Sequence, residues 1–381
     1  MTRVAFERAD DPNLINFAVG QPDQALIPID ALKQASAHVG ATLSSASVNY
    51  GLPQGEPQFL EPLAQFLSAT CHHPVVAEEL MLTGGTSQAL DMICQAFTSP
   101  GDTVLIEDAS YFLAFQIFAD HGLKLVPFSR SAGTIDTQAL GRLIETHQPK
   151  LLYTIPFFSN PLGDTLSTQA IESLISMCSK SGTLLVSDEA YQYLAFDHQA
   201  ESSLASRAAD SKVVLSLGTF SKILAPGLRV GWIQCNAVLR ERLLDLGWVN
   251  SGGAINQWGS LLVGSILEAG RQASLLETTQ TLLGARAHVM HECLTQHLGT
   301  IATWDAPRGG YFVWVTLTEA ADTTALLPLV REQGVGYQPG ASFSSTGAHG
   351  QSMRLSFAAY DTNKIDQGIN LLGTTLKGLI H

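Results

Sequence analysis

This sequence has no apolar run of membrane-spanning length, and its opening residues, Met1 to Asp11, carry charge where a secretory signal would place an apolar core. A cytoplasmic protein with no membrane partner is the expectation. A cationic excess is also missing. Lys and Arg number 21 against 34 Asp and Glu, and the net charge of -13 argues against a nucleic-acid partner. Cysteine is sparse: Cys71, Cys94, Cys178, Cys235 and Cys293 are scattered, odd in number and without CxxC spacing. Free thiols are expected, and no metal site. Fixed-period repeats and low-complexity tracts are absent. Charged residues make up only 14% of the 381 residues while hydrophobic ones reach 45%, so a large core and a surface reduced by oligomerisation are expected. That length suits one large domain plus a smaller one.

What is present is a rhythm. Short β-rich runs at 79–82, 103–107, 124–128, 151–155, 183–187, 213–217 and 230–235 alternate with helical patterns at 87–97, 111–121, 137–146 and 168–179. This predicts an α/β fold, a mostly parallel sheet with helices on both faces. Asn236 is an expected N-cap, opening a long helical region. Past about residue 292 come strands at 311–317, 334–337 and 353–357, a smaller α+β unit. We therefore expect an N-terminal arm at 1–45 packing partly with the small domain, a large domain at 46–290 and a small C-terminal domain at 291–381.

One segment carries most of the chemistry. Ser216-Leu217-Gly218-Thr219-Phe220-Ser221-Lys222 places a lysine just past an apolar strand, with Arg229 seven residues downstream. Desolvation there lowers the cost of losing the ammonium proton, and a neutral amine condenses with aldehydes. Thr219, Ser221 and Arg229 read as a phosphate grip. An amine for an aldehyde beside a grip for a phosphate suggests pyridoxal phosphate. A surface lysine and a structural arginine are the plainer alternative. Gly84-Gly85-Thr86-Ser87 follows a strand and opens a helix, where free N–H groups and the helix dipole favour a phosphate. A capped glycine turn has the same pattern.

Asp188 ends an apolar strand, where a carboxylate is costly unless paired. A pyridinium nitrogen about 4 Å away would attract it by roughly 4 kcal/mol at an effective dielectric of about 20. Asp188 or Glu189 as a helix N-cap is the alternative. Tyr191 and Asn160 are placed to hydrogen-bond a ring oxygen, although Asn160-Pro161 is also an ordinary turn. Tyr111, behind another strand end, suits stacking on a ring or a place in the core. Arg354 is a lone cation on an apolar strand and calls for a carboxylate, either a substrate's or an internal Asp or Glu.

Taken in order, these segments resemble the class I/II aminotransferases of the fold-type I enzymes that use pyridoxal phosphate (PLP), over nearly the whole chain. The landmarks are Phe17 to Pro22, Tyr50 to Gly55, the glycine loop, Pro100-Gly101-Asp102, Tyr111, Asn160-Pro161-x-Gly163 and Asp188-x-x-Tyr191. Ser221-Lys222 with Arg229, Gly309-Gly310-Tyr311, Pro339-Gly340 and Arg354-Leu355-Ser356 complete the series. In style the sequence is similar to the 2-aminoadipate/kynurenine aminotransferase branch. The resemblance implies a large α/β/α domain with a smaller α+β domain, and a homodimer with shared active sites. It implies Lys222 as Schiff-base lysine and proton shuttle, Asp188 as pyridinium partner and Tyr111 as stacking ring. Gly85, Thr86, Ser87, Thr219, Ser221 and Arg229 would hold the phosphate, joined by Tyr50 from the partner subunit, while Asn160 and Tyr191 would meet the ring oxygen. Gly20, through its backbone, Asn160 and Arg354 would hold the substrate carboxylate.

Ala109, Ser159, Leu162, Thr219 and Glu61 depart from the family pattern. The expected reaction is transfer of an α-amino group to a 2-oxo acid, 2-oxoglutarate by default. A PLP-dependent lyase or cyclase acting at the β or γ carbon is the alternative. A DNA-binding regulator with an aminotransferase-like domain is disfavoured, because the likeness begins by Ile15 and the chain is acidic. No second arginine declares itself for a side-chain carboxylate, beyond Arg3 or Arg8 in the arm.

Overall fold

A computed structural model describes residues 13–207 and 211–380. Seven strands form the central sheet: β1 (Leu80–Thr83), β2 (Thr103–Glu107), β3 (Lys124–Phe128), β4 (Leu151–Thr154), β5 (Leu184–Asp188), β6 (Val214–Thr219) and β7 (Gly231–Cys235). Their spatial order is β1-β7-β6-β5-β4-β2-β3. Only β7 runs against the rest, pairing antiparallel with both β1 and β6. The expected mostly parallel sheet is therefore present.

Alternation within each strand explains the three layers. Val104, Ile106, Leu151 and Tyr153 face one apolar cluster, built with helices Thr86–Phe97 and Phe112–Asp120. Leu105, Leu152 and Leu185 face the other, built with helices Pro57–Cys71, Thr137–His147 and Thr168–Ser181. A parallel sheet covered on both faces needs such near-continuous apolar strands. Asn236 caps helix Ala237–Leu244 as expected, its side chain accepting from the Leu239 N–H.

The C-terminal unit carries an antiparallel sheet of β8 (Ala302–Thr303), β9 (Phe312–Leu317), β10 (Gln338–Pro339) and β11 (Ser352–Ser356), ordered β8-β9-β11-β10. The single strand expected at 334–337 is split. Val335–Gly336 pairs parallel with Ile15–Asn16 of the arm, whereas Gln338–Pro339 pairs with β11. Farther along the arm, helix Ile29–Thr42 packs against helix Gln257–Glu268. Helix Arg271–Leu298 runs unbroken through residue 290, where the sequence led us to divide the large and small domains.

Candidate active site

Each parallel strand hands its chain to the same edge of the sheet, where α/β folds gather ligand-binding loops. A cavity of ≈ 870 Å³ opens there. Of the residues singled out from sequence, Gly20, Thr86, Ser87, Tyr111, Asn160, Asp188, Tyr191, Thr219, Ser221, Lys222, Arg229 and Arg354 line it. Gly85 lies just behind the wall. Tyr50 does not reach the cavity of its own chain and is 83% exposed.

Lys222 follows β6, whose residues are all buried. Gly218 is required in that strand because Trp232 of β7 covers it: a Cβ would lie 2.1 Å from the indole. Past the strand end, Lys222 Nζ donates to the Gly20 carbonyl at 3.0 Å and sits 5.6 and 5.4 Å from the rings of Tyr191 and Tyr311. Burial lowers its pKa to about 8, assisted by Arg354 and Arg229 and opposed by Asp188. At pH 8 about half of such amines are neutral.

The residues expected to grip a phosphate come from two separate turns. Gly85, at φ +105°, precedes helix Thr86–Phe97, and its missing Cβ makes room for Arg229, whose Nη2 would lie 3.0 Å from it. Across from this helix start, Thr219 Oγ1 donates to Ser221 Oγ at 3.0 Å, and Arg229 Nη1 donates to the same Ser221 Oγ at 3.3 Å. Arg229 Nη2 donates to the Gly84 carbonyl at 2.8 Å. None of these partners is anionic, so the guanidinium charge remains uncompensated there.

Asp188 ends β5. Tyr153 Oη donates to its Oδ2 at 2.8 Å, while Oδ1 is buried with no partner. Burial raises the pKa of Asp188 to about 6, against the opposing effects of Tyr153, the Ala190 N–H and Lys222. The carboxylate is therefore a strand-end group of the cavity wall rather than a helix cap. Its neighbour Glu189 is spent on structure, accepting from Ser187 and Ser216 hydroxyls, both at 2.7 Å, and from the Leu204 N–H at 2.9 Å.

Arg354, on β11, is 3% exposed and meets no acid. Nη1 donates to Asn160 Oδ1 at 2.8 Å, Nη2 to the Ala18 carbonyl at 2.6 Å, and Nε is buried without a partner. The rings of Phe312 and Phe343 lie 4.1 and 4.9 Å from its guanidinium carbon. Burial drops its pKa to about 10. An internal salt bridge is thus absent among the described residues. The carbonyl accepting from Arg354 belongs to Ala18, and Gly20 lies beside the guanidinium, its own carbonyl accepting from Lys222.

Tyr111 stands just ahead of its helix, which begins at Phe112, and burial raises its pKa to about 12. Two departures find a structural reason. Ser159 Oγ donates to Asp164 Oδ1 at 2.9 Å, tying the Asn160 loop to Asp164, which pairs with buried Arg130 at 2.5 Å. Thr219 keeps the hydroxyl that the grip uses. Glu61 is exposed on its helix, and nothing in the structure explains Leu162.

Sequence reasoning missed Tyr153, Phe312 and Arg331. Arg331 lines the cavity one helical turn beyond Leu327, on helix Thr323–Glu332. The i,i+4 spacing was visible, but not the face that meets the cavity. Arg3 and Arg8 lie outside the described residues. Lys222, Arg229 and Arg354 share this wall with Asp188, the one acid lining it among the described residues.

The family model for aminotransferase class I and II matches residues 12–372. The chain is 29% identical to a 2-aminoadipate transaminase of Thermus thermophilus, over 97% of this chain and 91% of the relative. A multiple substrate aminotransferase from Thermococcus profundus superposes with a TM-score of 0.90 at 26% identity, covering 98% of this chain and 93% of that one. An α-aminoadipate aminotransferase of Thermus thermophilus, solved with N-(5'-phosphopyridoxyl)-L-leucine, gives 0.88 at 28% identity, covering 97% and 93%. With a family match across nearly its full length, this chain belongs to the class I and II aminotransferases, enzymes that use pyridoxal phosphate to transfer amino groups.

Proposed function

We propose that the cavity takes an α-amino acid by its carboxylate at Arg354 and passes its amino group to a 2-oxo acid, with Lys222 moving the α-proton. The observation that carries this reading is a pair of unmet buried groups on the cavity wall, Asp188 Oδ1 and Arg354 Nε. Burial of either charge without a ligand is unfavourable. The first suits a protonated ring nitrogen and the second suits a carboxylate, so the donor set fits pyridoxal phosphate and an amino acid together.

Roles follow from which atoms are left free. Arg229, Ser221, Thr219 and the start of helix Thr86–Phe97, with Thr86 and Ser87, would hold the phosphate. Asn160 already spends its Oδ1 on Arg354, which leaves Nδ2 to donate, beside the Tyr191 hydroxyl, to the ring oxygen. Tyr111 would lie against the ring face. When bound, pyridoxal phosphate supplies an aldehyde carbon that takes the amino group and a ring that withdraws electrons. Lys222 Nζ, once neutral, removes the proton from the substrate α-carbon and returns it to the carbon now bearing the amino group. Val19, Phe312 and the ring of Tyr337, all buried, supply apolar surface to the same wall.

A homodimer is part of the reading. Val48, Tyr50 and Leu52 are 59%, 83% and 53% exposed, and Gly51 between them packs against Gly253 and Gln257, next to Trp258, itself 47% exposed. Such an apolar patch suits a second copy of the chain, which would bring Tyr50 to its partner's phosphate. Sedimentation at monomer mass would refute this.

The acceptor in this reading is a 2-oxo acid, 2-oxoglutarate by default. The test is a panel of amino acids added without an oxo acid, read by absorbance and mass spectrometry. One oxo acid released per site is expected, with no ammonia. Ammonia or a cyclised product in its place would sink the reading.

A further inference from the structure

Asp188 has two carboxylate oxygens in different situations, and the difference comes from one phenol. Tyr153 lies on β4, paired across to Val186 on β5, so it shares a face with Val186 and Asp188. Its side chain is fully buried, and its ring is held edge-on by Phe118 at 5.6 Å. The hydroxyl reaches Asp188 Oδ2 at 2.8 Å, leaving Oδ1 buried without a hydrogen-bond partner on a residue of the cavity wall.

We propose that Tyr153 is a positioning residue for the amino-transfer reaction: by donating to Oδ2 it keeps Asp188 ionised and directs Oδ1 alone at the ring nitrogen of the cofactor. The inference rests on the reading of Asp188 as the partner of that nitrogen. A hydrogen bond to a charged acceptor is stronger than one to a neutral acceptor, so the phenol favours the carboxylate over the carboxylic acid. Without it, a buried carboxylate would be left with the Ala190 N–H and the more distant charge of Lys222. Protonation of Asp188 would then be easier and its pull on a ring proton weaker. A phenol suits this position because it stays neutral: burial and the adjoining Asp188 both push the pKa of Tyr153 well above its usual range. The remaining titratable groups facing Asp188 are Lys222 beyond β6, Tyr111 ahead of its helix, and Glu189 and Tyr191 on its own segment. Among these, only Tyr153 holds a side-chain hydrogen bond to the carboxylate.

The test is a double-mutant cycle on the affinity for pyridoxal phosphate, measured by titrating apo-protein, with Tyr153→Phe, Asp188→Asn and the double variant. Tyr153→Phe keeps the ring and its packing and removes only the donor. In wild-type background it should weaken binding roughly tenfold, the scale of one hydrogen bond to a charged group. In Asp188→Asn background it should change binding less than about twofold. The pH at which the absorbance of the bound cofactor changes should shift in Tyr153→Phe relative to wild type, because the ring proton is held less firmly. A Tyr153→Phe loss of equal size in both backgrounds, or an unshifted absorbance profile, would overturn the proposal, since the phenol would then act through packing. Should Tyr153→Phe fail to fold, Asp188→Glu in the presence of Tyr153 provides the second measurement. It lengthens the carboxylate past the phenol and should shift the absorbance profile in the same direction, and an unshifted profile there would equally overturn the idea. Wild-type protein that binds no pyridoxal phosphate would remove the Asp188 reading itself, an outcome distinct from loss of coupling.

Discussion

Replacement of Lys222 by alanine is expected to lower turnover roughly 10⁴-fold, the upper range for loss of a positioned base, while pyridoxal phosphate remains bound. The proposed phosphate grip lies on other residues. Arg229 anchors itself to Gly84 and Ser221 without using Lys222, and the start of helix Thr86–Phe97 is built by Gly85. What disappears is the one amine in the cavity that can lose its proton near neutrality. Its position is unusual in that every contact made by Nζ is a carbonyl or an aromatic face, none of which fixes the ammonium form as a carboxylate would. With a folded pKa of about 8, the amine is protonated and inert below that pH and reactive above it. Reductive attachment of pyridoxal phosphate to the apo-protein, located by mass spectrometry, should therefore label Lys222 at a rate that climbs through about pH 8 and then levels. A Lys222→Ala protein within tenfold of wild-type turnover would end the assignment. So would labelling that begins only in the ordinary lysine range.

Arg354→Met should separate activity from stability. Substrate kcat/KM is expected to fall roughly 100-fold or more, mostly through KM, because a buried guanidinium that receives a carboxylate is worth about 3 kcal/mol or more once that partner is present. The melting temperature of the apo-protein should hold or rise. In the substrate-free fold Arg354 is a buried cation with amide and carbonyl partners, an unpaired Nε and a pKa pulled down to about 10. Methionine fills much of the same volume between Phe312 and Phe343 without that desolvation cost. The check pairs steady-state kinetics on the best amino acid with thermal melts of cofactor-free protein. A variant that loses several degrees of melting temperature along with activity would make Arg354 a structural residue.

The parts of this site that could be read in the sequence are those whose meaning is local. A strand followed by Gly84-Gly85 and a helix start, or β6 running directly into Thr219, Ser221 and Lys222, needs only a few consecutive residues, since backbone turn, helix dipole and side-chain chemistry are set within one segment. The apolar character of the strands likewise announced a sheet buried on both faces. The strand expected at 334–337 divided because its two halves pair with different partners, Ile15–Asn16 and β11, and pairing is not written in the segment itself.

The rest depended on which strands became neighbours. Tyr153 read as one more residue of an apolar strand until the β4–β5 register set it on the face of Asp188, 35 positions away in sequence. That the Gly20 carbonyl accepts from Lys222 and the Ala18 carbonyl from Arg354 could likewise not be read from the segment. Arg331 could be placed on a helix from its spacing, yet only packing turned that helix face toward the cavity. The sequence by itself determined the chemistry available: one desolvated amine, one strand-end carboxylate and a phosphate grip. Tertiary structure alone decided how these groups share hydrogen bonds and charge, because those interactions depend on distances between segments that the order of residues does not specify.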